Sequence, residues 1–344
     1  MDNDQQNQKK LPKVSLFRYL LPLIFIVLAV AILLLKISNL DETSSVLLSM
    51  SPWLVFLAFM AQICSYLSSG YFLKTIMNLG QSQLSVFRGT LITMSAETIG
   101  LAGGLAASAP ATYYWVSKDS DDSGEAVLAG ILPLVYNSVV LISITIMGVL
   151  YLLFENEISR PQFIVYGSIM AVIMAGDLLI FYGLSHREKV EQIFLVAARV
   201  MTRFFKRTYN LSVICDLIRQ FYDGLKLVSE RGWIKLGLGP VMNTSFDILT
   251  LYTLFIAAGY TVKPSVLIAG YSLSFLLGRG VFFIPGGSGV IEGGMVAIYT
   301  YLGIPAHIGI VVVLGYRFLS FWMPSLLGFA SMIYLQRTSG HHKR

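Results

Sequence analysis

Long runs of apolar residues alternate with short polar stretches along the whole chain. A run of about 20 apolar residues is long enough for one helix to cross the hydrocarbon core of a bilayer. Most of the runs reach this length, and the charged residues cluster between them. The pattern predicts an all-α, polytopic membrane protein. The apolar runs cover residues 14–37, 52–73, 89–117, 126–154, 163–184, 236–259, 264–284 and 304–335.

Two regions of this pattern contain segments that disfavour a straight helix. Residues 100–110 read GLAGGLAASAP, and residues 283–294 read FIPGGSGVIEGG. Glycine lowers helix stability and proline removes a backbone donor, so both segments favour two half-helices joined by a break. We expect each segment to form the tip of a re-entrant hairpin, which enters the membrane and returns on the same side.

The distribution of positive charge favours the same arrangement. The sequence is 55% hydrophobic and only 13% charged, with a net charge of +6. Lysine and arginine concentrate around the first run, after the last run and in 186–235, where ten of them accompany five acidic residues. Cytoplasmic loops of membrane proteins carry an excess of lysine and arginine. All three basic regions are cytoplasmic only if each interrupted segment returns to the membrane side from which it entered. We therefore predict about six full transmembrane helices plus two re-entrant hairpins in the cytoplasmic membrane, with both termini cytoplasmic.

This topology divides the chain into two membrane halves, 1–185 and 236–344, joined by the basic segment 186–235 within a single membrane domain. A weak internal repeat indicates that the halves are inverted copies. Gly103 and Gly104 align with Gly286 and Gly287, and 126–137 aligns with 306–317. For the basic segment two interpretations stay open: an amphipathic helix on the inner membrane surface, or a linker whose charge only fixes the topology.

Several charged residues interrupt the apolar runs. A charged side chain at the bilayer centre costs at least about 2.5 kcal/mol, so such residues are either paired or functional. One hypothesis places Arg279, Glu292 and Arg317 in a polar cavity, where they bind a charged or zwitterionic substrate group. The alternative is that they pair with one another, with either arginine as the partner of Glu292. The candidates for ion coupling are Glu97, Glu292 and Asp247. Asp247 and Asp177 are less informative than the glutamates, because each could lie near a helix end or cap one.

The glycine run itself is a candidate anion site. No GK[ST] sequence follows it, which argues against a phosphate-binding P-loop. The backbone amides of Gly286, Gly287 and Ser288 could still attract an anionic headgroup at the start of a half-helix; close packing of small residues between helices is the alternative. The chain has two cysteines and four histidines, two of them in the terminal HHKR, and these indicate no disulfide framework, metal site or cofactor.

The C-terminal part carries a family likeness. Residues 285–328 begin PGGSGVIEGG and contain YRFLSFWMP. This run resembles the C-terminal pattern of the lysylphosphatidylglycerol synthase transmembrane family, and Glu292, Tyr316, Arg317, Trp322 and Pro324 fall on it. The first half departs from the family pattern, because GLAGGLAASAPATYYW lacks the usual arginine.

The resemblance implies a lipid flippase-like membrane part. Full-length members add a cytosolic domain that transfers lysine from tRNA to phosphatidylglycerol, whereas this chain ends about nine residues after its last apolar run. We therefore expect a stand-alone transporter of a phospholipid or glycolipid headgroup similar to aminoacyl-phosphatidylglycerol, with Tyr316 among the substrate-binding residues and no nucleic-acid partner. A phosphatidylglycerol lysyltransferase and a non-transporting membrane scaffold remain the alternatives. The sequence leaves a homo-oligomer open.

Overall fold

The structure, a computed structural model, describes residues 40–79, 82–103, 105–120, 123–154, 186–193, 233–280 and 287–338, with scattered positions between 164 and 226. Every regular element in these residues is helical, which confirms the all-α prediction. The predicted first span at 14–37 lies outside the described residues, as do most of 163–184 and all of 197–214.

Ten α-helices with defined bounds and one π-helical turn follow one another in the described part of the chain, and residues 187–193 are also helical. Three stretches are long and apolar enough to cross a membrane: Pro52–Met77, Gly124–Phe154 and Ala306–Thr338. The last of these is continuous through the π-helical turn. The helices are α1 Leu40–Ser49, α2 Pro52–Met77, α3 Val86–Gly103, α4 Leu105–Asp119, α5 Ser123–Phe154, α6 Trp233–Ala257, α7 Pro264–Gly280, α8 Val290–Tyr301, α9 Ala306–Arg317 and α10 Met323–Thr338, with the π-helical turn Phe318–Trp322 between α9 and α10.

Helices α2 and α6 form an antiparallel pair at the centre of the molecule. The backbone N–H of Ser51, before α2, donates to the carbonyl of Ala257 at the end of α6, at 3.1 Å. At mid-length, Asn243 Nδ2 donates to the carbonyl of Ser65, also at 3.1 Å. The pair is close because Gly239 lies against Phe72, where a Cβ atom on residue 239 would overlap the Cβ and Cα atoms of Phe72. The first half of the chain is thus packed directly against the second.

Helices α3 and α4 form the first helical hairpin. Within the interruption predicted at 100–110, α3 ends at Gly103 and α4 begins at Leu105. At the open end, Asp119 accepts hydrogen bonds from Arg88 Nε at 2.5 Å and Nη2 at 2.7 Å. Because the start of one helix is bonded to the end of the next, the two helices are antiparallel. A short connection places this open end next to the C-terminal end of α2.

Helices α7 and α8 form the second hairpin. The hydroxyl of Tyr299, near the end of α8, donates to the carbonyl of Leu267, near the start of α7, at 3.0 Å. At the tip, Gly278 faces Ile291 so closely that a Cβ atom would overlap it. The second hairpin opens beside the C-terminal end of α6. In the antiparallel pair this end lies next to the N-terminal end of α2. The two hairpins therefore open toward opposite ends of the α2–α6 pair.

Each hairpin is held by the long helix that follows the other one. Helix α10 packs on α3, where Thr98 Oγ1 donates to the carbonyl of Ser325 at 2.8 Å. Helix α5 packs on α7, where Arg279 Nη1 donates to Ser138 Oγ at 2.6 Å. One apolar core surrounds the second hairpin, and another surrounds the open end of the first hairpin and includes Phe221. Polar side chains lie between these two cores.

Replacing Gly328 with alanine is expected to weaken the contact between α10 and α3. A Cβ atom at this position would overlap the Met94 carbonyl and the Thr98 side chain, and relieving such overpacking costs about 1–3 kcal/mol. Gly293→Ala in α8 is the matched control, because nothing lies within 4 Å of its Cβ position. Thermal unfolding of the purified protein in detergent should show a lower midpoint for Gly328→Ala alone. Equal midpoints for the two variants would contradict the close crossing.

Candidate functional site

A cavity lined by charged, polar and apolar side chains lies where the tips of the two hairpins meet the middle of α2, α5 and α6. Its volume is about 380 Å³. The tip of the first hairpin contributes Gly100 and Ser108, and the tip of the second contributes Gly278 and Gly287. Both interrupted segments of the sequence therefore face the same space. The polar and charged lining residues include Gln62, Ser65, Tyr66, Thr93, Glu97, Thr112, Asn137, Asn243, Asp247, Arg279, Tyr316, Arg317 and Ser320.

The structure brings most of the candidate residues to this cavity and places two of them behind its wall. Glu292 and Ser288 are buried and do not belong to the lining. Gly286 and Asp177 lie outside the described residues. The candidates that line the cavity are Glu97, Asp247, Arg279, Gly287, Tyr316 and Arg317.

Glu292 forms a buried ion pair with Arg317. Its Oε1 accepts a hydrogen bond from Arg317 Nε at 2.6 Å, and the two side chains are only 7% and 3% exposed. Its Oε2 accepts from the backbone N–H of Gly289 at 2.6 Å, which caps the start of α8. The sequence left either Arg279 or Arg317 as the partner of Glu292, and the structure identifies Arg317 on α9. Both carboxylate oxygens are engaged, so Glu292 holds the start of the half-helix in place.

Arg317 also stacks on aromatic rings of the π-helical turn and α7. Its guanidinium carbon lies 4.4 Å from the ring centre of Phe321 and 5.9 Å from that of Phe275. A planar guanidinium stabilises both contacts, whereas a lysine ammonium could not reproduce the stacking together with the hydrogen bond to Glu292. The ring contacts fix the orientation of this arginine at the cavity wall.

Asp247 sits at the crossing of α2 and α6. Its Oδ1 accepts hydrogen bonds from Gln62 Nε2 at 2.9 Å and from Ser65 Oγ at 2.6 Å. Its Oδ2 accepts a longer bond of 3.4 Å from the hydroxyl of Tyr271. Asn243 Nδ2 in turn donates to Ser65 Oγ at 2.7 Å. Asp247 is therefore positioned by neutral donors from two other helices, α2 and α7.

Glu97 lines the cavity and is the most exposed of the three carboxylates. It lies on α3 near the tip of the first hairpin, and its side chain is exposed although the residues around it, Ala96 and Thr98, are buried. Within the described part of the chain it makes no hydrogen bond and no ion pair. Among the three candidate carboxylates it is the one that a bound molecule can contact without breaking an existing interaction.

Sequence reasoning did not identify the neutral polar residues that organise this cavity. Gln62 and Ser65 on α2, Asn243 on α6 and Ser138 on α5 position the charged side chains. The only signal that they give in the sequence is a glutamine or asparagine in the middle of an apolar run. A neutral polar residue costs less than a charged one in an apolar run, so it does not indicate a site by itself.

A family model described as "Lysylphosphatidylglycerol synthase TM region" matches residues 20–328. The chain belongs to this family. The match covers both hairpins and the α2–α6 pair, so every described residue of the cavity lies inside it. Together with the three helices long enough to cross a bilayer, the family indicates an integral membrane protein.

Archaeal relatives extend the comparison along most of the chain. A UPF0104 membrane protein of Methanocaldococcus jannaschii is 24% identical over 310 residues, which cover 87% of this chain and 90% of the relative. A UPF0104 membrane protein of Methanothermobacter thermautotrophicus is 24% identical over 239 residues, covering 65% and 68%. One from Pyrococcus horikoshii is 26% identical over 201 residues, covering 54% and 58%. These descriptions name membrane proteins and state no activity.

Removing one member of the Glu292–Arg317 pair is expected to destabilise the protein strongly. An uncompensated buried charge costs about 3–5 kcal/mol, whereas removing both charges together costs much less. The thermal midpoint in detergent should fall for Glu292→Gln and for Arg317→Met, and the double variant should recover part of the loss. Glu97→Gln is the control and should unfold near the wild-type midpoint. Additive losses in the double variant would show that the two side chains are not coupled.

Proposed function

We propose that this protein moves the headgroup of a membrane lipid across the bilayer. The proposed substrate is a phospholipid or glycolipid similar to aminoacyl-phosphatidylglycerol. The observation that carries the proposal is the cavity between the two hairpin tips, bounded by Arg279 and Arg317 together with Glu97 and Asp247. Opposite charges around one cavity suit a headgroup that contains both a phosphate and an amine. Family membership supports a lipid substrate.

The size and position of the cavity support this function. A volume of about 380 Å³ falls within the roughly 300–1,000 Å³ typical of small-molecule sites. The residues Ser65, Asn137 and Asn243 that line it lie near the middle of their helices. In transporters, substrate sites near the bilayer midplane are commonly built from interrupted helices. A headgroup held there would be about equally far from both membrane surfaces.

The proposed mechanism is alternating access between two inverted halves. We propose six full transmembrane helices plus two re-entrant hairpins, with both termini in the cytoplasm of the cell. The opposite directions in which the hairpins open along the α2–α6 pair support this topology. Movement of one hairpin would open the cavity toward one membrane surface, and movement of the other would open it toward the opposite surface.

Ion coupling is the proposed source of energy. Among the carboxylates suggested for this role, Glu97 and Asp247 line the cavity, whereas both oxygens of Glu292 are engaged by Arg317 and Gly289. We therefore assign coupling to Glu97 and Asp247 and stabilisation of the second hairpin to Glu292. Arg279, held at 2.6 Å by Ser138, is the proposed contact for the phosphate group.

Lipid transport can be measured in reconstituted liposomes. Fluorescently labelled phosphatidylglycerol and its lysyl derivative should exchange between leaflets faster than in protein-free liposomes. Glu97→Gln and Arg279→Gln should lower the rate at least about tenfold, since the first removes a carboxylate proposed for ion coupling and the second removes the proposed phosphate contact. Ser143→Ala is the control, because its hydroxyl only bonds the Val139 carbonyl on the exposed face of α5. No exchange by the wild type would refute the function, and unchanged exchange by both charge variants would refute the site.

The proposed topology can be tested by cysteine labelling in sealed vesicles. Single cysteines at Gln83 and Thr261, in a chain whose Cys64 and Cys215 are serine, lie at the exposed open ends of the first and second hairpins. A membrane-impermeant maleimide should label them from opposite sides. Labelling of both positions from the same side would rule out hairpins that open to opposite membrane surfaces.

A further inference from the structure

The crossing of α2 and α6 holds a cluster of oxygen atoms next to the cavity, formed by Asp247, Gln62, Ser65 and Tyr271. We call this the Asp247 cluster. Gln62 and Ser65 are each only 1% exposed, and both line the cavity together with Asp247. The cluster joins a helix of the first half to two helices of the second half.

The hydrogen-bond donors in this cluster do not satisfy all of its acceptors. Asp247 Oδ1 accepts two short bonds, but Oδ2 accepts only the 3.4 Å bond from Tyr271. Gln62 Oε1 is buried and has no hydrogen-bond partner among the described residues. Ser65 Oγ accepts one bond from Asn243 and keeps a second lone pair. The cluster thus holds a carboxylate, an amide and a hydroxyl that are joined by hydrogen bonds and keep unused acceptor capacity.

The charges around the cavity also favour a bound cation. In the described part of the chain, no lysine, arginine or histidine forms an ion pair with Asp247. Among the described residues, the cavity and its wall hold three carboxylates, Glu97, Asp247 and Glu292, against two guanidinium groups, Arg279 and Arg317. Glu292 and Arg317 neutralise each other. The remaining groups are two carboxylates, Glu97 and Asp247, and one guanidinium, Arg279, so negative charge is in excess among them. An ionised carboxylate at this depth in the membrane is costly without a compensating charge.

We propose that the Asp247 cluster binds a monovalent metal cation, Na⁺, that enters from the cavity. The ligands are the carboxylate of Asp247, Ser65 Oγ and Gln62 Oε1, which a rotation of the amide brings toward the carboxylate. Hard cations prefer such oxygen ligands. The bound ion neutralises Asp247 and coordinates the buried Gln62 oxygen, which has no hydrogen-bond partner among the described residues. Its use as a coupling ion rests on the proposed transport function, but its binding does not.

Sodium binding can be measured on the purified full-length chain without any lipid substrate. Radioactive ²²Na⁺ should bind saturably, at about one ion per chain, and the thermal midpoint should rise with NaCl relative to choline chloride at equal ionic strength. Asp247→Asn and Gln62→Met should weaken ²²Na⁺ binding at least about tenfold. Thr253→Val on the same helix is the control and should bind as the wild type does, because its hydroxyl only bonds the Leu249 carbonyl.

The outcomes separate the cation from its alternatives. Absence of saturable ²²Na⁺ binding to the wild type overturns the proposal, and so does wild-type affinity in both cluster variants. A midpoint that depends on pH through Asp247 but not on Na⁺ identifies a proton site instead and also overturns it. Gln62→Met decides the question if Asp247→Asn does not fold. Sodium binding without lipid exchange in liposomes would refute the proposed function alone, and lipid exchange without sodium binding would refute this inference alone.

Discussion

A break in a membrane helix leaves backbone groups without hydrogen bonds, and the ion pair of Glu292 and Arg317 compensates for one such break. Nothing in a bilayer core can replace lost backbone hydrogen bonds, so non-helical backbone must be buried in protein or line a cavity. Glu292 meets this requirement by accepting the N–H of Gly289 with one oxygen. Its other oxygen is neutralised by Arg317, which aromatic rings hold in turn. The second hairpin, and with it one wall of the cavity, depends on this pair.

The three carboxylates near the cavity show how the same side chain acquires different roles from its surroundings. Glu292 is saturated by a guanidinium and a backbone donor, and therefore stabilises the fold. Asp247 receives only neutral donors and keeps one oxygen with a single long bond, so it is positioned and still able to bind an ion. Glu97 is exposed and makes no hydrogen bond or ion pair with the described residues, so a substrate can contact it without displacing another group. Substitutions at the three positions are informative only when stability and transport are measured separately.

Sequence patterns located the hairpin tips and the charged residues because both violate what a lipid-exposed helix tolerates. They could not choose between Arg279 and Arg317 as the partner of Glu292, since the rotation of α9 about its axis decides which arginine reaches it. They also missed Ser65, because serine in a membrane helix usually bonds its own backbone. Ser68 does so with the Cys64 carbonyl, whereas Ser65, three residues earlier, reaches across to Asp247. Only the register of α2 against α6 distinguishes these two serines.

The interlocked arrangement of the halves limits how the proposed transport cycle can proceed. Helix α5, which follows the first hairpin, packs on the second, and α10, which follows the second hairpin, packs on the first. Neither half can therefore rotate as an independent body without separating these contacts. Helices α2 and α6 make the most extensive contact in the described part of the chain, so they are the natural fixed frame. Movement would then be confined to the hairpins and to the π-helical turn Phe318–Trp322, where the α9–α10 span passes from the core of the second hairpin to the surface of the first. A cation at the Asp247 cluster would act on this frame directly, because it would add a bond between α2 and α6 at the point where both hairpin tips meet them.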